Sequence, residues 1–235
     1  RGLMLIGDLG DRVFGIEAGA GRPLEPMWTA ATDTLVAMRA IDEARVARWN
    51  NGEGRSAPIR TYDRGAFEIE LSLLPDWYWP LVRGGPIPED ARAAFDAAWT
   101  PVLDRLLADP SRTLALRDYH SPNLIWRDGE AFPRNLGLID FQDAVIGPQA
   151  YDLASLGQDA RVDVPQALEA AMLREYLSRR SACEGFDEAV FLRDYAVLAA
   201  HRALALAAIA TAVSAVVAGW ILAGAATGWV YTPAG

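Results

Sequence analysis

Lysine is absent from this 235-residue chain: all 22 of its basic residues are arginines, set against 31 acidic ones for a net charge of −9. That balance argues against a nucleic-acid partner, which calls for a basic face. One cysteine, Cys183, excludes an internal disulfide framework and fits a reducing cytoplasm. With only His120 and His201, the chain is poor in zinc ligands. It contains no Gly-x-Ser-x-Gly elbow, Walker A loop, Cys-x-x-Cys pair or His-Glu-x-x-His, and no internal repeat. Gly7 and Gly10 make no dinucleotide fingerprint, because too little chain precedes them to supply the strand.

What is present is a chain that is 51% hydrophobic, enough for one large core or two small ones. Residues 3–9 read as a buried strand ending at Gly10-Asp11. Apolar steps of three and four predict a helix from Met27 to Trp49, and a loop over Asn50–Ser56. A second helix covers Phe67–Leu74, with Pro75 to Pro80 breaking it into an aromatic corner. Gly84-Gly85-Pro86 is a loop, and Pro88-Glu89-Asp90 opens a helix to about Ala108. Three β-type runs follow, Leu114–Arg117, Asn123–Arg127 and Leu136–Asp140, the last two joined through Asp128-Gly129. Helices then cover 150–158, 165–180 and the chain from Asp187 onward. The class is α+β, mostly helical, with a small antiparallel β unit whose loops carry the polar motif.

That motif is Arg117-Asp118-Tyr119-His120-Ser121-Pro122-Asn123, followed by Ile139-Asp140-Phe141-Gln142-Asp143. Asp118 and Asn123 stand five residues apart on a tight loop, and Asp140 ends an apolar run seventeen residues later. Phosphoryl transfer from a nucleotide asks for this set: one carboxylate facing the acceptor hydroxyl, and one amide and one carboxylate on magnesium. Asp118 is the candidate base. Asn123 and Asp140, at the start of one strand and the end of the next, are the candidate magnesium ligands. An isolated Asp-x-x-x-x-Asn signals nothing, since both residues crowd surface turns; spacing, flanking strands and the second aspartate carry the reading. His120 is read as shaping the loop rather than reacting. Asp143 is read either as assisting metal or substrate, or as capping a turn. Asp152 is read as tying the loop backbone through its carboxylate, or as a plain helix cap.

On these residues the chain resembles the aminoglycoside phosphotransferase/choline kinase-like superfamily. It is most similar there to bacterial anomeric sugar kinases acting on N-acetylmuramate and N-acetylglucosamine. Gly147-Pro148 leading to Tyr151-Asp152-Leu153-Ala154-Ser155-Leu156 extends the match. The resemblance implies the C-terminal lobe of a protein-kinase-like fold, ATP and Mg2+ as cofactors, a sugar or amino-sugar acceptor and a role in cell-wall recycling in the cytoplasm. It implies that Leu3–Asp11 is the hinge, with Ile6, Gly7 and Asp8 bordering the nucleotide, and that Glu70 and Asp76 face the acceptor. Leu116 departs from the histidine of many relatives, and Gly7 from an acidic residue. Expected domains are a hinge over 1–11, the lobe over 12–212 and an apolar tail over 213–235. The N-terminal lobe and its phosphate-pairing lysine are missing, so this chain alone is expected to bind ATP poorly.

Two rival readings stand beside this one: an aminoglycoside or amino-alcohol kinase, and a non-catalytic kinase remnant. The oligomeric state is left open. After Arg202 no charged residue occurs, a run longer than the about 20 residues that span a bilayer. It is mostly alanine with glycines, so a terminal helix packed on the lobe, at least through about Ala212, is expected rather than a membrane span, with an irregular C-terminus as a third reading.

Overall fold

Two short antiparallel ladders sit at the centre of the site. Strand β1 (Arg112–Ala115) pairs with β4 (Val145–Pro148), and β2 (Leu124–Trp126) with β3 (Leu136–Leu138). The structure, a computed structural model, describes residues 7–41 and 59–227, with side chains as far as residue 210. The helices, in chain order, are α1 (Phe14–Gly19), α2 (Leu24–Met38), α3 (Arg64–Leu73), α4 (Trp79–Arg83), α5 (Glu89–Ala108), α6 (Tyr151–Gly157), α7 (Gln166–Arg180) and α8 (Glu188–Thr227). The contacts divide the chain into two compact units, Arg1–Asp63 with Arg105–Ala199, and Arg64–Asp104 with Ala200–Gly235.

In the first unit α2 is the hub. Its Trp28 is fully buried and donates its indole N–H to the Leu156 carbonyl of α6, and Thr32 is spent on the Trp28 carbonyl. Phe14 packs against Trp28 with the rings tilted and their centroids 5.4 Å apart. Truncating such a buried aromatic to alanine typically costs about 3–5 kcal/mol. Tyr176 of α7 stacks on Phe191 at 4.9 Å. In the second unit, Phe67 and Leu71, four apart on α3, form its buried stripe, and the Phe67 ring meets His201 edge-on at 5.1 Å.

Several expected elements moved. Helix α2 begins at Leu24, because Pro23 and Pro26 fall where a first turn needs no amide donor, and it ends at Met38 rather than Trp49. Residues 42–49 and the Asn50–Ser56 loop lie outside the described residues. Of the strand expected over 3–9, residues 7–9 are irregular and the rest lies outside. The aromatic corner is instead helical: Leu74–Tyr78 form a π turn that widens the helix around Pro75 and passes directly into α4. Strand β1 lies two residues earlier than expected, because Arg117 at φ +69° cannot continue a strand. Strand β4 was not foreseen. No helix among the described residues is long and apolar enough to cross a membrane, although α8 spans 40 residues.

Candidate active site

Residues 116–123 carry the chain from β1 to β2, and residues 139–144 carry it from β3 to β4. Because β1 pairs with β4 and β2 with β3, both loops bridge the same two ladders. The Ile139 amide donates to the Asn123 carbonyl at 3.1 Å, prolonging the β2–β3 register by one pair. Asn123 and Asp140 are therefore brought together at the end of that hairpin.

The first loop is held from outside by two carboxylates. Asp152, fully buried in the first turn of α6, accepts the Leu116 amide at 2.9 and 3.1 Å and the Arg117 amide at 3.1 Å. Those bonds sustain Arg117 in a left-handed conformation, which costs a non-glycine residue about 1–2 kcal/mol. Its guanidinium lies over the Tyr62 ring at 5.4 Å. Asp159 accepts the Ser121 amide at 2.6 Å and the Arg161 amide at 2.9 Å. No motif spacing marks Asp159 in the sequence; it counts only because the fold brings it under the loop.

Between these anchors the chemistry-bearing side chains are sorted by environment. The Asp118 side chain is 49% exposed, with Oδ1 3.5 Å from Nε2 of His120, which is itself buried. His120 Nδ1 has no hydrogen-bond partner among the described residues. Tyr119 points the other way and donates its hydroxyl to the Ala31 carbonyl at 2.8 Å; burial pushes its phenol well above the usual range, so it stays neutral. Asn123 donates Nδ2 to the Asp118 carbonyl at 3.0 Å. The amide's donor side is spent on shaping the loop, and its oxygen is the atom left for a cation.

The second loop presents Asp140, exposed and at φ +58°, with Gln142 donating Nε2 to its Oδ1. Asp143 is exposed on the same loop, and Gln142 makes the loop's side-chain contact to Asp140. Among the described residues no three His, Cys, Asp or Glu side chains are grouped to hold a metal. The donors here are one amide oxygen and one carboxylate. That pair suits a hard cation such as magnesium, whose remaining positions phosphates and water fill.

Residues 9–13 lie along the β2–β3 hairpin. The Trp126 amide donates to the Arg12 carbonyl at 2.8 Å, and Val13 bridges Ile125. Leu9 crosses Gly137 so closely that a Cβ there would sit 3.1 Å from its Cδ1. Gly7 and Asp8, read as nucleotide-bordering, are exposed just before this stretch; Asp8 caps the Gly10 amide at 2.8 Å, and Ile6 lies outside the described residues.

The two residues read as acceptor-facing belong to the second unit and are engaged there. Glu70 Oε2 lies 3.7 Å from Nδ1 of the buried His201, and Asp76 pairs with Arg92. Burial lowers the His201 pKa and outweighs the opposing pull of Glu70.

The sequence profile of the phosphotransferase enzyme family matches residues 7–217. An N-acetylmuramate/N-acetylglucosamine kinase of Caulobacter vibrioides is 36% identical over 202 residues, covering 85% of this chain and 53% of that protein. A Pseudomonas putida protein of the same name is 30% identical over 182 residues, 77% of this chain and 48% of its own. An ADP-bound crystal structure of an aminoglycoside phosphotransferase superposes with a TM-score of 0.44 and 16% identity, covering 82% of this chain and 69% of that one. The chain spans about half the length of the curated relatives it matches.

Proposed function

This chain belongs to the phosphotransferase enzyme family, and from that membership we propose that it carries the catalytic loop of an ATP-dependent kinase acting on an amino sugar. The acceptor in this reading is the anomeric hydroxyl of N-acetylmuramate or N-acetylglucosamine, the sugars for which its relatives are named. Asp118 accepts the proton of that hydroxyl as its oxygen bonds to the γ-phosphorus and the bond to the departing ADP breaks. Half-exposed, Asp118 is open to a substrate, while the amides on either side of it are pinned by Asp152 and Asp159. Asn123 Oδ1 and the Asp140 carboxylate would hold Mg2+, which when bound neutralises charge on the phosphates. His120 is a positioning residue beside Asp118. The carrying observation is the pair of loops that bridge the same ladders, with Asn123 Nδ2 on the Asp118 carbonyl.

A cytoplasmic setting in cell-wall recycling completes the reading. Since the chain has no lysine, phosphate-side cations come from arginine or from outside these residues. The net charge of −9 favours one rival acceptor, a cationic aminoglycoside. ADP release measured with N-acetylmuramate, N-acetylglucosamine and kanamycin, in protein carrying this chain, separates the two. Turnover on the acetylated sugars that falls by about 10²–10⁴ in Asp118→Asn supports the proposal. Turnover on kanamycin alone, or an unaltered Asp118→Asn enzyme, overturns it.

A further inference from the structure

Three arginines of the first unit line one cavity of about 250 Å3, together with Ser111, Gln149 and Glu184. Arg39 is held by the Tyr176 and Thr113 hydroxyls and the Leu114 and Gln149 carbonyls, at 2.8–3.1 Å. Arg112 donates to the carbonyls of Tyr62 and Leu107 at 3.1 and 3.3 Å, leaving most of its five donors unspent. Arg180 makes a 3.4 Å contact to Gln149 Oε1 and a 3.5 Å contact to Cys183 Sγ, lies over the Phe186 ring at 5.4 Å, and has its Nε buried without a hydrogen-bond partner among the described residues. Among the described residues, none of the three contacts a carboxylate. Arg179, one position earlier on α7, pairs with both Asp33 at 2.8 Å and Glu175 at 2.7 Å. Partly buried cations left with neutral partners are costly, and in a chain of net charge −9 their grouping is not a by-product of composition.

We propose that this cavity is an anion site for a phosphate group, either inorganic phosphate or a phosphate monoester. Guanidinium forks match phosphate oxygens bidentately, and Ser111 adds a hydroxyl. Glu184, the one carboxylate lining the cavity, leaves the three guanidiniums in excess. Asp109 and Asp187 line a separate, smaller cavity that shares Ser111 and Gln149. The site stands apart from the catalytic loop: Arg112 opens β1, whereas Asp118 follows that strand's far end. It also stands independently of the acceptor assigned above.

The test is calorimetric titration of the full chain with sodium phosphate and, separately, with N-acetylglucosamine 1-phosphate, in EDTA at constant ionic strength. Saturable binding is expected, weakened about tenfold in Arg180→Gln. Glu184→Gln removes an exposed negative charge from the rim and is expected to tighten binding roughly twofold or more. That gain is one a merely misfolded variant does not produce. A monoester binding more tightly than inorganic phosphate identifies an organic ligand; equal affinities identify the phosphate group alone as what is read. Phosphate affinity unchanged in Arg180→Gln, or untightened in Glu184→Gln, overturns the site.

Discussion

The Asp152 carboxylate closes on the Leu116 amide with both oxygens, at 2.9 and 3.1 Å, across 36 positions of sequence. Through that clasp the first turn of a helix sets the conformation of a loop it does not adjoin, and the loop's next residue is held at positive φ. The polar contact is internal and fully buried, so its effects are felt in stability as well as in the site.

Asp152→Ala strands the Leu116 and Arg117 amides without their acceptor. Stability is expected to fall by about 2–4 kcal/mol, read as a lower urea midpoint at unchanged slope. Asp152→Asn retains one oxygen acceptor and is expected to lose less. Equal losses in the two variants would argue against the amide bonds as the cause.

Asp140 separates stability from ligand binding. It is exposed and pays for its φ of +58°, so Asp140→Gly is expected to leave thermal stability unchanged or raise it by up to about 1 kcal/mol. The same substitution is expected to abolish the magnesium dependence of nucleotide binding in protein carrying this chain, measured by calorimetry. Retention of that dependence removes Asp140 from the cation.

Gly137 leaves room for Leu9 to pass. Gly137→Ala places a methyl group 3.1 Å from Leu9 Cδ1 and 3.3 Å from Ile125 Cβ, and about 1–3 kcal/mol of stability is expected to be lost. Leu9→Ala in that background is expected to restore part of the loss, and a double-mutant cycle by urea denaturation measures it. Strict additivity would mean that Leu9 is not the obstruction.

His201 makes stability depend on pH in one direction. Its pKa is lowered in the folded state, so between the unfolded value near 6.5 and the lower folded value the unfolded chain binds more protons. Stability is expected to be flat in this respect above about pH 6.5 and to drop as pH falls below it. Thermal midpoints from pH 7 down to 5 should fall more steeply for the parent than for His201→Gln. Parallel profiles would show that another group carries the acid sensitivity.

Much of the candidate site was legible because its signals are local. The Asp118–Asn123 spacing and the Pro88-Glu89-Asp90 start of α5 each describe a few consecutive residues, and α5 ends at Ala108, where the helix was expected to end. Strand β4 was missed, because four residues ending in Gly147-Pro148 are a strand only by virtue of a partner more than thirty positions away. Glu70 and Asp76 were expected on the acceptor side from resemblance alone; what the fold adds is their neighbours, His201 and Arg92. Asp159 was invisible for the same reason, since its role lies in reaching the Ser121 amide.

Sequence alone settled the inventory: which oxygen-bearing groups sit on which loops, and that arginine must serve wherever the chain needs a cation. Tertiary structure decided which of those groups are buried and which are exposed, pinning Asp152 and Asp159 to backbone amides while leaving the side chains of Asp118 and Asp140 exposed. The division follows from range. Propensity and periodicity act over a few residues, whereas a carboxylate is spent or open according to what a distant segment brings within hydrogen-bonding distance of it.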